Sequence, residues 1–139
     1  MSHFRNAVGE CRFCSREYQK TRNELENELF FANYDNRPVN PGHMKLIPKR
    51  HVTSLCELTD QELAAMKTLM IEAKRMIEKE HRSQGYNIGI NEGVTAGQTV
   101  FHLHIHLIPR YEGDVPDPTG GVRNIIPERG NPKNYKPKA

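Results

Sequence analysis

His102-Leu103-His104-Ile105-His106-Leu107-Ile108-Pro109 is the stretch that decides how this 139-residue chain is read. Three imidazoles alternate with aliphatic side chains. Successive side chains of a strand point to opposite faces, so alternation at period two is a strand signature. The strand is expected over Thr99 to Ile108, with the imidazoles on one face and Leu103, Ile105 and Leu107 packed on the other. Imidazole titrates near neutrality, acts as acid, base or nucleophile, and ligates metals. A face holding three of the chain's seven histidines therefore points first to catalysis. Metal binding and plain burial are the alternatives.

Working outward, Glu92 to Gly97 reads as a loop and Tyr86 to Asn91 as a strand. Thr59-Asp60-Gln61-Glu62 carries a capping box, with Glu62 three residues after Thr59. Leu63, Met66, Met70, Ala73 and Ile77 then recur at helical spacing, widened by Leu69 and Met76. This predicts one long helix from Asp60 to about Arg82, laid across one face of the sheet. Leu29 to Tyr34 and His43 to Ile47 read as strands, separated by the turn formers Asp35-Asn36-Arg37-Pro38 and Asn40-Pro41-Gly42. A short polar segment, helical around Glu17 to Asn27, precedes them. Two strands, a helix and two further strands make an α+β domain with a mostly antiparallel sheet. Beyond Arg110 the character changes: Pro116, Pro118, Pro127, Pro132 and Pro137 all fall there. Residues 113–139 are expected to form an extended tail on a domain spanning 1–112.

The length supports a single domain. Net charge is +3 and mean hydropathy −0.75, so the core is small and the surface polar. Lys and Arg are scattered and do not interleave with aromatics, which argues against a nucleic-acid partner. No apolar run approaches the roughly 18 residues of a membrane span, and residues 1–20 lack a secretory apolar core. The expectation is a cytoplasmic protein with no membrane partner. Cys11 and Cys14 are spaced Cys-x-x-Cys, which in a reducing compartment suggests a metal before a disulfide. His51 and His102 would complete a Cys2His2 zinc set; a free, reduced pair is the alternative. Cys56 has no partner at ligand spacing and reads as a small buried hydrophobe.

The His-x-His-x-His pattern with apolar x, two more apolar residues and Pro109 resembles the signature of the histidine triad (HIT) superfamily. Asn91-Glu92-Gly93, Ala96-Gly97-Gln98-Thr99-Val100, Asp35 and Pro41-Gly42-His43 extend the resemblance over residues 11–112. The dinucleoside polyphosphate hydrolase branch is the one it looks closest to. The fold it implies is a mostly antiparallel five-stranded sheet with one long helix packed on it. The implied roles follow position by position. His104 matches the nucleophile that attacks an α-phosphorus, and His106 a contact to the phosphate oxygens. His102 matches the position whose backbone carbonyl fixes the nucleophile's tautomer, and His43 a histidine supporting the triad. Gln98 matches a phosphate- or leaving-group contact, and Asp35 the residue that bonds the ribose hydroxyls. Asn91 and Thr99 fall near the phosphates. Local sequence offers plainer readings of three of these: Asp35 as a turn former, His43 as a turn exit, Gln98 as a strand-edge cap.

Pro48-Lys49-Arg50-His51 together with the cysteine pair resembles the layout of zinc-containing relatives, which implies structural Zn2+ at Cys11, Cys14, His51 and His102. The resemblance also implies a homodimer. The tail stretch Gly120 to Pro127 resembles tails of diadenosine-polyphosphate-cleaving members, with Arg123 aimed at a second phosphate or at adenine. The implied activity is cleavage at the α-phosphate of a dinucleoside polyphosphate, such as diadenosine tetraphosphate, or of a nucleoside phosphoramidate, through a nucleotidyl-histidine. A nucleotide sensor with little turnover is the alternative. The residues leave open the base, the phosphate chain length, the accepting nucleophile (water or phosphate) and whether Mg2+ accompanies the substrate.

Overall fold

A computed structural model describes residues 11–137. The strands are β1 (Leu25–Glu26), β2 (Phe30–Tyr34), β3 (Met44–Pro48), β4 (Gly85–Gly89) and β5 (Ile105–Arg110). Helix α1 (Arg16–Thr21) precedes them, and α2 (Asp60–His81) joins β3 to β4. The strands form one sheet in the order β1-β2-β3-β5-β4, with every pairing antiparallel.

Alternation gives this sheet two different faces. Phe30, Ala32, Met44, Leu46, Ile105 and Leu107 join the buried Leu69, Ala73 and Ile77 of α2 in the main core. Burying each large aliphatic contributes about 1.5–3 kcal/mol. Phe31 and Ile47 point the other way and pack with Cys11 and Phe13 in a second cluster. Asn33 and Lys45 alternate onto that same face and are buried as well.

Helix α2 starts where the capping box places it. Thr59 Oγ1 accepts from the Glu62 N–H at 3.1 Å, and Glu62 Oε1 accepts from the Thr59 N–H at 2.9 Å. It ends one residue short of the expected Arg82, which caps it in the left-handed region at φ 52°. Its first turn corrects the expected stripe. Leu63 is exposed, whereas Glu62 is buried. Neighbouring helical residues stand about 100° apart, and the inward position on the Leu69-Ala73-Ile77 line belongs to Glu62. Arg50 compensates the buried carboxylate with bonds of 2.7 and 3.0 Å.

Three further expectations are revised. The polar segment around Glu17 to Asn27 splits into α1 and the two-residue strand β1, which pairs with β2. The histidine strand starts at Ile105, not Thr99. Pro48 has no N–H to give a ladder, and its carbonyl accepts instead from the His102 ring at 2.7 Å. The Leu103 N–H leaves the sheet for the Val52 carbonyl at 2.7 Å. Cys56 lies in a 3-10 turn, Leu55–Glu57, and is exposed.

Beyond β5 the chain runs through a 3-10 turn (Gly121–Ile125), one α-turn (Pro127–Gly130) and a second 3-10 turn (Pro132–Asn134). Arg123 bonds the Gly130 carbonyl at 2.8 Å and the Arg129 carbonyl at 3.3 Å. It closes the tail on itself and does not line the histidine cleft described next. No helix among the described residues is long and apolar enough to cross a membrane.

Candidate functional site

On the face opposite α2, a cleft of about 670 Å³ opens between β3, β5 and the loop preceding β5. Asp35, Asn91, Gln98, Thr99, His104 and His106 all line it. His43 stands behind His106, and its Nε2 lies 2.9 Å from His106 Nδ1. His102 is set apart from the other two triad rings: it is fully buried, against Cys11 and Cys14.

Hydrogen bonds fix the tautomer of His43, His106 and His104. The Val39 N–H donates to His43 Nδ1 at 3.1 Å, so the His43 proton sits on Nε2. That Nε2–H donates to His106 Nδ1, which places the His106 proton on Nε2. His104 Nδ1 donates to the His102 carbonyl at 2.9 Å, which leaves His104 Nε2 unprotonated. Burial pushes the His104 ring down to about 4 and lowers His43 and His106 as well, so all three are neutral at neutral pH. The result is one bare ring nitrogen next to a ring that carries its outer proton as a donor, with centroids 5.1 Å apart.

Asp35 Oδ2 is 3.7 Å from His43 Nε2 and 4.0 Å from His106 Nδ1. Burial opposes its charge, yet the Arg37 N–H bond and the nearby Lys45, His43 and His106 hold its carboxyl below its ordinary value. Asp35, His43 and His106 are close enough together to hold a metal ion. The Val39 bond argues against one, because it puts the proton on the nitrogen the metal would need. Gln98 is buried, and its amide is engaged locally. Its Oε1 accepts from the Gly93 N–H at 2.8 Å, and its Nε2 reaches the Thr53 and Val100 carbonyls at 3.3 and 3.4 Å. Asn91 and Thr99 are exposed at the rim.

The second set is Cys11, Cys14, His51 and His102, whose ligand atoms all lie within 4.8 Å of one another. His102 Nδ1 is 3.3 Å from Cys11 Sγ and 3.4 Å from Cys14 Sγ, and His51 Nδ1 is 3.2 Å from Cys14 Sγ. Ligands on a tetrahedral Zn2+ sit about 3.5 Å apart across an N–Zn–S angle, so the spacing fits. The chemistry fits too: the His102 Nε2–H is held by the Pro48 carbonyl, which turns the Nδ1 lone pair toward the sulfurs. Burial and the neighbouring Cys11 push the Cys14 thiol up to about 12, and a divalent cation at the centre would reverse that.

Arg12, Phe13 and Lys45 are among the cleft residues that sequence reasoning missed. Phe13 packs edge-on against both His102 and His104, with centroids 5.7 and 5.4 Å away. The signal was present, since both lie inside the Cys11-to-Cys14 knuckle, and whatever fixes the cysteines also delivers Arg12 and Phe13. Lys45 was legible too, as the one charged residue in the run Met44 to Pro48.

A family model described as HIT domain matches residues 17–113. The chain is 45% identical over 78 residues to an asymmetrical bis(5'-nucleosyl)-tetraphosphatase of Schizosaccharomyces pombe, covering 56% of this chain and 43% of that protein. It is 40% identical over 88 residues to an AP-4-A phosphorylase of Mycobacterium tuberculosis, covering 63% and 45%. The match spans less than half the length of either relative. Among solved structures, a Zn-bound histidine triad family protein from Mycobacterium smegmatis superposes with a TM-score of 0.66 at 32% identity, covering 80% of this chain and 86% of that one.

Proposed function

The chain belongs to the HIT domain family, and from that premise we propose that it cleaves nucleotides at the α-phosphate of a dinucleoside polyphosphate or nucleoside phosphoramidate through a nucleotidyl-His104 intermediate. The observation that carries this reading is the bare Nε2 of His104 beside a donor-bearing His106 in an open cleft. A neutral nitrogen can approach phosphorus where an anionic nucleophile would be repelled. In the first step His104 Nε2 bonds to the α-phosphorus. The bond to the leaving oxygen or nitrogen breaks, and the leaving group departs with that electron pair and takes up a proton. The Nδ1–H bond to the His102 carbonyl steadies the positive charge that the ring acquires. The His106 Nε2–H donates to a non-bridging oxygen as charge develops there, and losing one such donor costs about 10²–10³ in rate. In the second step water or phosphate displaces the ring. Asp35 takes the ribose hydroxyls as acceptor, and Asn91 and Thr99 stand where the phosphate chain leaves the cleft.

Zn2+ at Cys11, Cys14, His51 and His102 is part of the same proposal, as a structural ion that pins the knuckle to the sheet. About one zinc per chain by elemental analysis is the expected result. A homodimer, as family resemblance implies, is checked by sedimentation. The engaged amide of Gln98 favours the competing reading, a sensor that binds nucleotide and hardly turns over. Rapid-quench mass spectrometry with diadenosine tri- and tetraphosphate and an adenosine phosphoramidate separates the two. A transient mass increase of one nucleotidyl group on His104 supports the enzyme. Unimpaired turnover in His104→Ala refutes it.

A further inference from the structure

We propose that the sugar end of this cleft holds a second phosphate, carried on the 2'- or 3'-oxygen of the ribose and gripped by Lys45 and Arg37, with Arg12 beside them. The inference rests on the nucleotide reading above and names a substrate class that reading leaves open: nucleotides phosphorylated on the sugar as well as at the 5' position.

Three cations line the cleft, Arg12, Arg37 and Lys45, against one carboxylate, Asp35. Among the described residues no carboxylate lies within ion-pair distance of any of the three. Lys45 matters most, because it is only 4% exposed and a buried charge is costly unless paired. The Tyr18 hydroxyl lies 3.4 Å from its ammonium, and Asn33 is its register partner on β2. Both groups are neutral. They can occupy two of the three N–H groups of an ammonium, but they bring no counter-charge.

Arg12 adds a like charge to the same place. Arg12 Cζ and Lys45 Nζ each lie 5.2 Å from the centroid of the Phe13 ring, and Arg12 Cζ is 5.9 Å from that of Tyr18. Aromatic faces hold both cations in position. Like charges gathered on one ring repel, and an anion among them relieves that cost.

Asp35 indicates which anion. In the reading above the reacting phosphate sits at His104 and His106, the chain leaves past Asn91 and Thr99, and Asp35 takes ribose hydroxyls. Arg37 follows Asp35 by two residues, and its N–H donates to Asp35 Oδ1 at 2.9 Å. Burial opposes the charge of Asp35, whereas that N–H and the Lys45 ammonium help to hold its carboxyl down. Both cations therefore stand at the sugar, not at the chain. In dinucleotide-binding folds a carboxylate takes a free ribose hydroxyl, and an Arg accommodates a phosphate in its place. This cleft has the two side by side: Asp35 for the hydroxyl left free, Lys45 and Arg37 for the phosphate on its neighbour. The 5'-phosphate is the rival claimant, since Lys45 also faces His106 across β3 and β5.

The test measures binding of AMP, ADP, adenosine 2',5'-bisphosphate and adenosine 3',5'-bisphosphate to the full chain by calorimetry, then repeats it with Arg37→Gln and Lys45→Met. At least one bisphosphate should bind wild type about tenfold or more tightly than AMP. ADP, whose second phosphate is on the chain, should gain less than about threefold. Each variant should shrink the bisphosphate advantage to about threefold or less. Arg37 is exposed, so its variant keeps the test open even if Lys45→Met fails to fold. Bisphosphates that bind no better than AMP overturn the inference. So does an ADP gain as large as theirs, or a loss in the variants that is equal for AMP and the bisphosphates, the mark of a 5'-phosphate contact. Absence of binding by all four nucleotides would instead refute the nucleotide reading itself.

Discussion

Glu62→Gln tests whether a buried charge at the start of α2 holds the fold together. Arg50 hydrogen-bonds the Glu62 carboxylate through two nitrogens and, with the Thr59 N–H, holds it down at about 2, against an ordinary value of 4.5. A group whose folded-state value is depressed stabilises the fold at pH above the ordinary value, and the contribution fades as pH falls toward the depressed one. The difference of about 2.5 units corresponds to at most about 3.4 kcal/mol. Arg50 is 51% exposed, so solvent screening cuts this to about 1–2 kcal/mol. Gln keeps the bond to the Thr59 N–H and the side-chain volume, and loses the charge together with the oxygen that accepts from Arg50 Nε.

The expected result at pH 7 is a melting temperature about 3–8 °C below wild type. The gap should narrow through the window from about pH 4.5 to 2, and more than half of it should be gone by pH 3. Thermal melts of both proteins across that range make the measurement. Acid destabilisation by other carboxylates is common to both and cancels in the difference. A gap as wide at pH 3 as at pH 7 would mean that shape or capping, not charge, is what Glu62 supplies.

Other substitutions address the site and its supports. Cys14→Ser should abolish zinc binding by elemental analysis, and nucleotide cleavage should fall with it as Phe13 loses its anchor. His43→Ala removes the N–H that sets the His106 tautomer; kcat should drop about 10–100-fold, less than for loss of a direct donor, with KM nearly steady in initial-rate assays. Gly42→Ala places a Cβ 2.9 Å from His81 Cδ2 at a φ of +87° and should destabilise by about 1–3 kcal/mol in urea titration. Arg82→Gly relieves the left-handed cap of α2 and should stabilise by about 0.5–1 kcal/mol in the same assay.

What sequence could and could not reveal follows from the range of the forces involved. The start of α2 was legible because its cap is a local motif. β2, β3 and β4 were legible because period-two patterns and turn formers lie within a few residues. β1 was invisible: two residues carry no period, and only pairing with β2 makes Leu25–Glu26 a strand. Leu63 was misjudged because the inward place went to a charged residue, Glu62, whose partner Arg50 stands outside the helix, in the loop after β3. The start of β5 was misplaced for a related reason, since the Pro48 carbonyl is taken by the His102 ring and not by a neighbouring strand. Cys56 was read as buried from its residue type alone.

Three histidines at even spacing suggest three equivalent groups, yet geometry makes them three different reagents. His102 gives its Nε2–H to Pro48 and offers Nδ1 to the cysteines. His104 gives its Nδ1–H to the His102 carbonyl and offers Nε2 to the cleft. His106 accepts on Nδ1 from His43 and keeps its Nε2–H for the cleft. The first two are coupled through one residue, because the ring of His102 faces Cys11 and Cys14 while its carbonyl orients His104. Phe13, held between the two cysteines, rests against both rings. The cysteine knuckle is therefore a wall of the cleft, and a metal that fixes Cys11 and Cys14 also fixes the direction in which the His104 lone pair points. Stripping the proposed Zn2+ should then impair His104 while that ring keeps every atom it needs for the chemistry.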